Sequence, residues 1–319
     1  KIPRRKLRAG SSPALGTKMM KDKINEIKRD EVDLQLFFNK LFLNKYKIFA
    51  ISSIFSLIIF IYSLFLPNIY ISKAILSPSS DSQFQNQVPG NFSGLAAVAG
   101  IDLQNNGTNK TAQALEILQS RKFFVDVFNK HDLFPELMAT KYWDQDLDQL
   151  VFDESKYDVK EKKWINSKEP KISESLEEFE KQFNVSVNSE NGFITISVEH
   201  ISPSVAKKWL EILITELNET VRVNDTTEAE KSIEYLLDQA RRTSTLYLKE
   251  IFYDLVQVQT EKIMISKASE EYALKTLDPP YLPDEKSKPM RALIFILSFV
   301  ASLLLIVSYY FFRNMFDNK

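Results

Sequence analysis

Ile48 to Leu66 reads IFAISSIFSLIIFIYSLFL, a run without a single charge, and the reading of this stretch decides the rest. As a helix rising about 1.5 Å per residue, it is long enough to cross a hydrocarbon core about 30 Å thick. A second uncharged run, Ala292 to Phe312 (ALIFILSFVASLLLIVSYYFF), is slightly longer. Two transmembrane helices, 48–66 and 292–312, leave three aqueous pieces: 1–47, 67–291 and 313–319. Only the middle piece is long enough to bury a core. A cleaved signal peptide is a poor alternative for the first run, which is long, starts late and lacks a small-x-small cleavage site.

The overall net charge of −1 is a cancellation. Residues 1–47 hold 13 Lys and Arg against 5 Asp and Glu, the middle piece 26 against 36, and the tail 2 against 1. Lys40, Lys45 and Lys47 flank the first span, so the positive-inside rule puts the N-terminus in the cytoplasm. The second span then returns 313–319 to the cytoplasm and leaves 67–291 outside, in the periplasm of a Gram-negative cell. Lys286, Lys288 and Arg291 weigh against that orientation, but the first span usually dominates. Residues 1–18 are basic, patternless and lack an initial Met, and read either as a non-native addition or as a misassigned start ahead of Met19 or Met20. A basic segment beside a span reads as an orientation signal and a contact for anionic lipid, not for nucleic acid.

In the external piece, Ile69 to Leu76 (IYISKAIL) reads as a strand. A Ser-, Gln-, Asn- and Gly-rich loop follows, with a small apolar insert at Leu95 to Ile101. Ala114, Ile117, Leu118, Phe124, Val125 and Phe128 recur at helical spacing, which predicts one helix over Thr111 to Lys130. Trp143 to Pro170 looks irregular, anchored by Leu147, Val151 and Trp164, and a Glu-rich amphipathic helix is expected around 172–183. Phe183, Val185 and Val187 alternate with polar residues, Asn191-Gly192 supplies a turn, and Ile194, Ile196 and Val198 alternate again, the pattern of a hairpin.

From Ser204 to Asp278 there is neither Gly nor Pro, which predicts long helix, with a break near Asn224-Asp225 as one reading. Ile233, Leu237, Leu248, Ile251, Leu255 and Val258 fall on a 3-and-4 spacing, together with the polar Ser244 and Lys262, and are expected to form a seam between copies. Unbroken over about 225–276, such a helix would extend about 78 Å and either project from the sheet or run along neighbours. It stops at the linker 278–289, where Pro279, Pro280, Pro283 and Pro289 make the chain extended and semi-rigid. That linker is the expected coupling to the membrane. The fold class is therefore an α+β membrane protein, with two transmembrane helices flanking a periplasmic α/β base domain that carries a long extended helix.

The residue inventory offers no catalytic centre. Cysteine is absent, which excludes a disulfide framework and thiolate metal sites. The two histidines, His131 and His200, read as solvated structural residues; no metal-ligand spacing and no phosphate-cradling Gly loop is present. Ser204-Val205-Ala206-Lys207 fits a Ser-x-x-Lys pattern without its supporting elements, and Ser204 reads as a helix cap. Neither enzyme activity nor a cofactor is expected.

The order of these features resembles the Wzz-like polysaccharide co-polymerases, the O-antigen or lipopolysaccharide chain-length determinants. The resemblance rests on DEVDLQLFFNKLFLNKYKIF before the first span, SGLAAVAGI (Ser93 to Ile101), ALEILQSRKFFVDVF (Ala114 to Phe128) and ITISVEHISPSVAKKWLEILITELNE (Ile194 to Glu219), and on Pro280-x-x-Pro283 with Pro289. Two departures stand out: the second span has no glycine, only small residues such as Ser298, Ala301 and Ser302, and Lys288 takes the place of the Ser that often precedes the last Pro. The resemblance implies a multi-pass inner-membrane protein that forms a homo-oligomeric ring and works with a membrane-embedded polysaccharide polymerase. Nascent polysaccharide or lipid-linked glycan is a further implied partner. The short tail points to the kinase-less branch. A related alternative is a capsule or exopolysaccharide export partner that acts with a separate tyrosine kinase. A two-span sensor is a more distant rival, because it needs an output module that so short a tail does not supply.

Overall fold

A computed structural model of the chain describes residues 41–79, 106–165 and 169–317. Most of the basic segment, up to Lys40, and the apolar insert Leu95 to Ile101 lie outside the described residues. In order, the elements are α1 (Lys45–Leu64), β1 (Tyr70–Pro78), α2 (Asn106–Leu118), α3 (Arg121–Lys130) and α4 (Phe134–Met138). Then come β2 (Thr140–Asp144), β3 (Gln149–Phe152), β4 (Tyr157–Asp158), β5 (Lys163–Trp164), α5 (Ile172–Gln182), β6 (Phe183–Val187) and β7 (Ile194–His200). The chain ends with α6 (Pro203–Arg242), α7 (Leu246–Ala268), β8 (Leu274–Asp278) and α8 (Arg291–Asp317). Two compact units result: Lys1–Leu66 with Pro289–Lys319, and Pro67–Lys288.

In the first unit, α1 and α8 are both long and apolar enough to cross a membrane. They pack on serines: Ser52, Ser56, Ser63 and Ser302 are buried while most neighbouring large side chains point outward. The Ser56 hydroxyl donates to the Phe295 carbonyl (2.8 Å) and lies 2.9 Å from the Ser298 hydroxyl. Phe49 meets Phe299, and Phe60 meets Phe295, edge to face. Two small residues four apart on each helix let the backbones approach, the role glycine often plays between apolar helices. Of the small residues noted in the second run, Ser298 and Ser302 serve this contact and Ala301 stays exposed.

The second unit is built on a four-stranded sheet in the order β6-β7-β1-β8, antiparallel throughout. In β1, Ala74 and Leu76 pair with Ile196 and Ile194, and all four are fully buried. The β6–β7 hairpin forms as its alternation predicts, with Gly192 supplying the positive φ of 70° in its turn. Trp209, Leu210, Leu213 and Leu217 of α6 share the sheet's core. Phe128 of α3 lies 5.4 Å from Trp209 and 5.1 Å from Phe179 of α5, so three helices meet through aromatic rings.

Several expectations are corrected. The single helix over Thr111 to Lys130 is two, because Ser120 adopts an extended conformation and its side chain caps Phe123 N. The irregular stretch Trp143 to Pro170 contains two small hairpins, β2–β3 and β4–β5, and Leu147 is no anchor, being 66% exposed. The helix over about 225–276 is also revised. Asp225 lies inside α6, and the break falls at Thr243-Ser244-Thr245. Three hydroxyl residues in a row compete for backbone hydrogen bonds, and Thr243 and Thr245 both turn extended. The chain folds back there, so α6 with its 40 residues and α7 with its 23 residues pack side by side and do not form one continuous rod. Past Ala268 the last stretch expected as helix becomes β8, which pairs with β1.

Candidate functional site: the linker strap and the helical hairpin

The proline-rich linker lies along β1. Where β8 ends, residues 279–288 continue beside the first half of β1 without forming a regular ladder, since prolines have no amide to donate. The Ser72 hydroxyl donates to the Tyr281 carbonyl at 2.8 Å. Further on, Ile69 N donates to the Lys288 carbonyl (2.9 Å), while Ser287 N and Lys288 N reach the Ile69 carbonyl (2.8 and 3.2 Å). Lys288 Nζ then crosses to both carboxylate oxygens of Glu199 on β7, at 2.8 and 2.6 Å. Of the prolines expected to couple this segment, Pro283 is buried, Pro280 and Pro289 are half-buried and Pro279 is exposed.

The seam residues do not share one continuous helix face. Ile233 and Leu237 sit on α6 and Leu248 and Val258 on α7, all four half-buried. Ile251 and Leu255 are buried against their own chain, in a small cluster with Leu236. Those two therefore face the fold-back and not a second copy. A different row points outward: Leu246, Tyr253 and Met264, seven and eleven residues apart on α7, are 82%, 56% and 58% exposed. These spacings return to nearly the same face of a helix with about 3.6 residues per turn.

Polar side chains bind the elements together. Asn218, on the buried face of α6, donates to the Ile214 and Leu274 carbonyls and accepts from the amides of Ala273 and Leu274 (2.7 and 3.0 Å), so its amide group is fully engaged with its own helix and β8. Two turns further out, the Asp225 carboxylate accepts from the Tyr272 hydroxyl (2.7 Å) and pairs with Lys262 (3.4 Å). That pairing explains why the helix passes through Asn224-Asp225 without a break. Glu216 takes Lys130 Nζ and His131 Nε2, each at 2.8 Å. Burial works to raise the Glu216 carboxyl, but these hydrogen bonds outweigh it and hold it below its ordinary range.

Glu136 gathers the stretch around the second histidine. Its carboxylate accepts from Trp209 Nε1 and Lys208 Nζ, both at 2.6 Å. His200, expected to be solvated, is buried against the Trp209 ring, with Nδ1 accepting from Ser202 N. Desolvation pushes it down to about 4, despite the raising effect of the Glu136 carbonyl, so the ring is neutral at pH 7. The Ser-x-x-Lys pattern dissolves in space: Ser204 donates to Asp148 and Lys207 pairs with Glu211. The α6 cap is Ser202, not Ser204. No group of His, Cys, Asp or Glu among the described residues has the arrangement to hold a metal ion.

Residues 30–131 match a family model described as Wzz, chain length determinant protein. Over that stretch the chain is similar to the Wzz family. Among solved structures, a full-length bacterial polysaccharide co-polymerase shares 14% identity at a TM-score of 0.39, covering 91% of this chain and 99% of that one. A fragment of WzzB, a polysaccharide co-polymerase from Salmonella Typhimurium, shares 12% identity at a TM-score of 0.33, covering 69% of this chain and all of that one. No curated protein matches in sequence. The matched stretch takes in α1, β1, α2 and α3, whereas the strap and the hairpin lie beyond it.

Sequence reasoning missed Asn218, Glu136 and the Glu199–Lys288 pair. For Asn218 a signal existed: an amide set among Leu210, Leu213, Ile214, Leu217 and Val221 on an apolar helix face must find partners. Lys288 stood out beside the last proline, but nothing local tied it to Glu199, 89 residues away.

Proposed function

We propose that the chain regulates the length of a surface polysaccharide, O-antigen of lipopolysaccharide, without catalysing a reaction itself. The carrying observation is the Wzz match over residues 30–131, a family described by chain-length determination. Two apolar helices support an inner-membrane placement. In this reading both termini are cytoplasmic and the Pro67–Lys288 unit is periplasmic. Copies assemble into a homo-oligomeric scaffold through outward faces of the α6–α7 hairpin, and the strap with the second span couples the scaffold to the polysaccharide polymerase. Work of this kind needs a shaped assembly and a membrane anchor, and it places no demand on a nucleophile, metal or cofactor.

The test is deletion of the gene, with lipopolysaccharide displayed as a ladder on a gel. Loss of the modal band cluster, restored by the plasmid-borne gene, is expected; an unchanged ladder would overturn the reading. Cryo-microscopy of the detergent-extracted protein tests the assembly, and a monomer would sink the scaffold.

A further inference from the structure

We infer that residues 279–288 form a releasable strap whose clasp is the Lys288–Glu199 ion pair, and that these two are positioning residues for chain-length control. The second half of this inference rests on the function proposed above. The strap is fastened at few points for a physical reason: Pro279, Pro280 and Pro283 cannot donate to β1. The strap therefore meets β1 through Ser72 with Tyr281 and, just before that strand, through Ile69 with Ser287 and Lys288. Between those points Asp284, Glu285 and Lys286 are exposed, and only Pro283 is buried.

The Lys288 side chain closes the far fastening. It crosses β1 to reach Glu199, whose backbone pairs with Ile71 of that strand, so one ion pair ties together β7, β1 and the strap. Glu199 is mostly covered and Lys288 is half open to solvent. Such a pair is strong enough to hold a short segment and weak enough to open by thermal motion. Once open, ten residues, up to about 33 Å of extended chain, come free. They lie just before the helix that begins at Arg291. A continuous β-strand in the same place would have no such release, because each pair of residues would add ladder bonds.

The experiment is hydrogen exchange on the full chain in detergent, comparing wild type with Glu199→Gln, Lys288→Met and the charge swap Glu199→Lys with Lys288→Glu. Each single variant is expected to speed exchange at the Ile69 and Ser287 amides roughly threefold to tenfold. Ala74 and Ile196 should keep their rates, and the swap should return the first two toward wild type. Unchanged exchange in the single variants, or a swap no better than either, would overturn the clasp. The same alleles are then read on the lipopolysaccharide ladder, where single variants should shift the modal length and the swap should restore it. A ladder indifferent to the variants, in a strain whose ladder does respond to gene deletion, would refute the positioning role. A ladder indifferent to deletion itself would instead refute the proposed function and leave the exchange result standing.

Discussion

Between Pro203 and Val221, α6 lies on the sheet and buries Trp209, Leu210, Leu213 and Leu217 in the main core. Beyond Ala229 the same helix packs on α7, and the buried apolar cluster there is Leu236, Ile251 and Leu255. The two halves belong to one unbroken helix, yet one stands on a sheet, aromatic helices and satisfied polar groups, and the other on a single neighbouring helix. Helix stability in a protein comes mostly from the face that is packed, so the near half should behave as part of the global fold and the far half as a unit that opens by itself.

The largest effect expected is in the near half. Trp209→Ala removes a fully buried ring and the donor to Glu136. It should cost about 3–5 kcal/mol in chemical denaturation of the whole protein. A loss below about 1 kcal/mol would mean that the base does not depend on α6. Next is acid. His200 holds about 4 in the fold against 6.5 when free, so as pH falls the unfolded chain takes up the proton first. Its neutral state costs the fold nothing above 6.5, and stability declines as pH drops through 6.5 toward 4, by on the order of 3 kcal/mol over the window. Replacing His200 with Gln should flatten this part of the stability-versus-pH curve, and an equal slope in the variant would assign the acid sensitivity elsewhere.

A smaller loss is expected for Asn218→Ala, which leaves the Ala273 and Leu274 amides buried without their side-chain acceptor. Orphaning buried donors in this way costs about 1–3 kcal/mol. Amide exchange at those two positions should rise more than at Ile196; equal changes would show that β8 is held by the ladder alone. The least global effect belongs to Leu255→Ala in the far half. The main unfolding transition should move by less than about 1 kcal/mol while exchange near Leu236 and Ala240 accelerates. A full-sized shift of the main transition would erase the distinction between the halves.

How much of this was legible in the sequence varied with the range of the interaction. The two apolar runs, the β6–β7 hairpin and the amphipathic helix near 172–183 depend on periodicity within a short window, and each formed close to its expected bounds. The break at Thr243-Ser244-Thr245 was harder to see, because hydroxyl residues lower helix propensity without forbidding helix. What favours ending α6 there is the chance to bury Leu236 against Ile251 and Leu255. The expected seam is divided for the same reason: a 3-and-4 spacing says that a face is packed and not which helix packs on it, and Ile251 and Leu255 pack on Leu236 of their own chain.

The candidate site divides in the same way. The prolines at 279, 280, 283 and 289 announced an extended linker, but only the fold laid that linker along β1 and brought Lys288 to Glu199. The sequence by itself determined the apolar spans, the alternating strands and the absence of cysteine, because charge, hydrophobic period and residue type are properties of the chain at each point. The tertiary structure alone decided that β8 exists, that His200 is dry and neutral, and that Asn218 and Glu136 carry networks. Those outcomes depend on which groups meet across tens of residues, where the cost of leaving a buried polar group unpaired selects the partner.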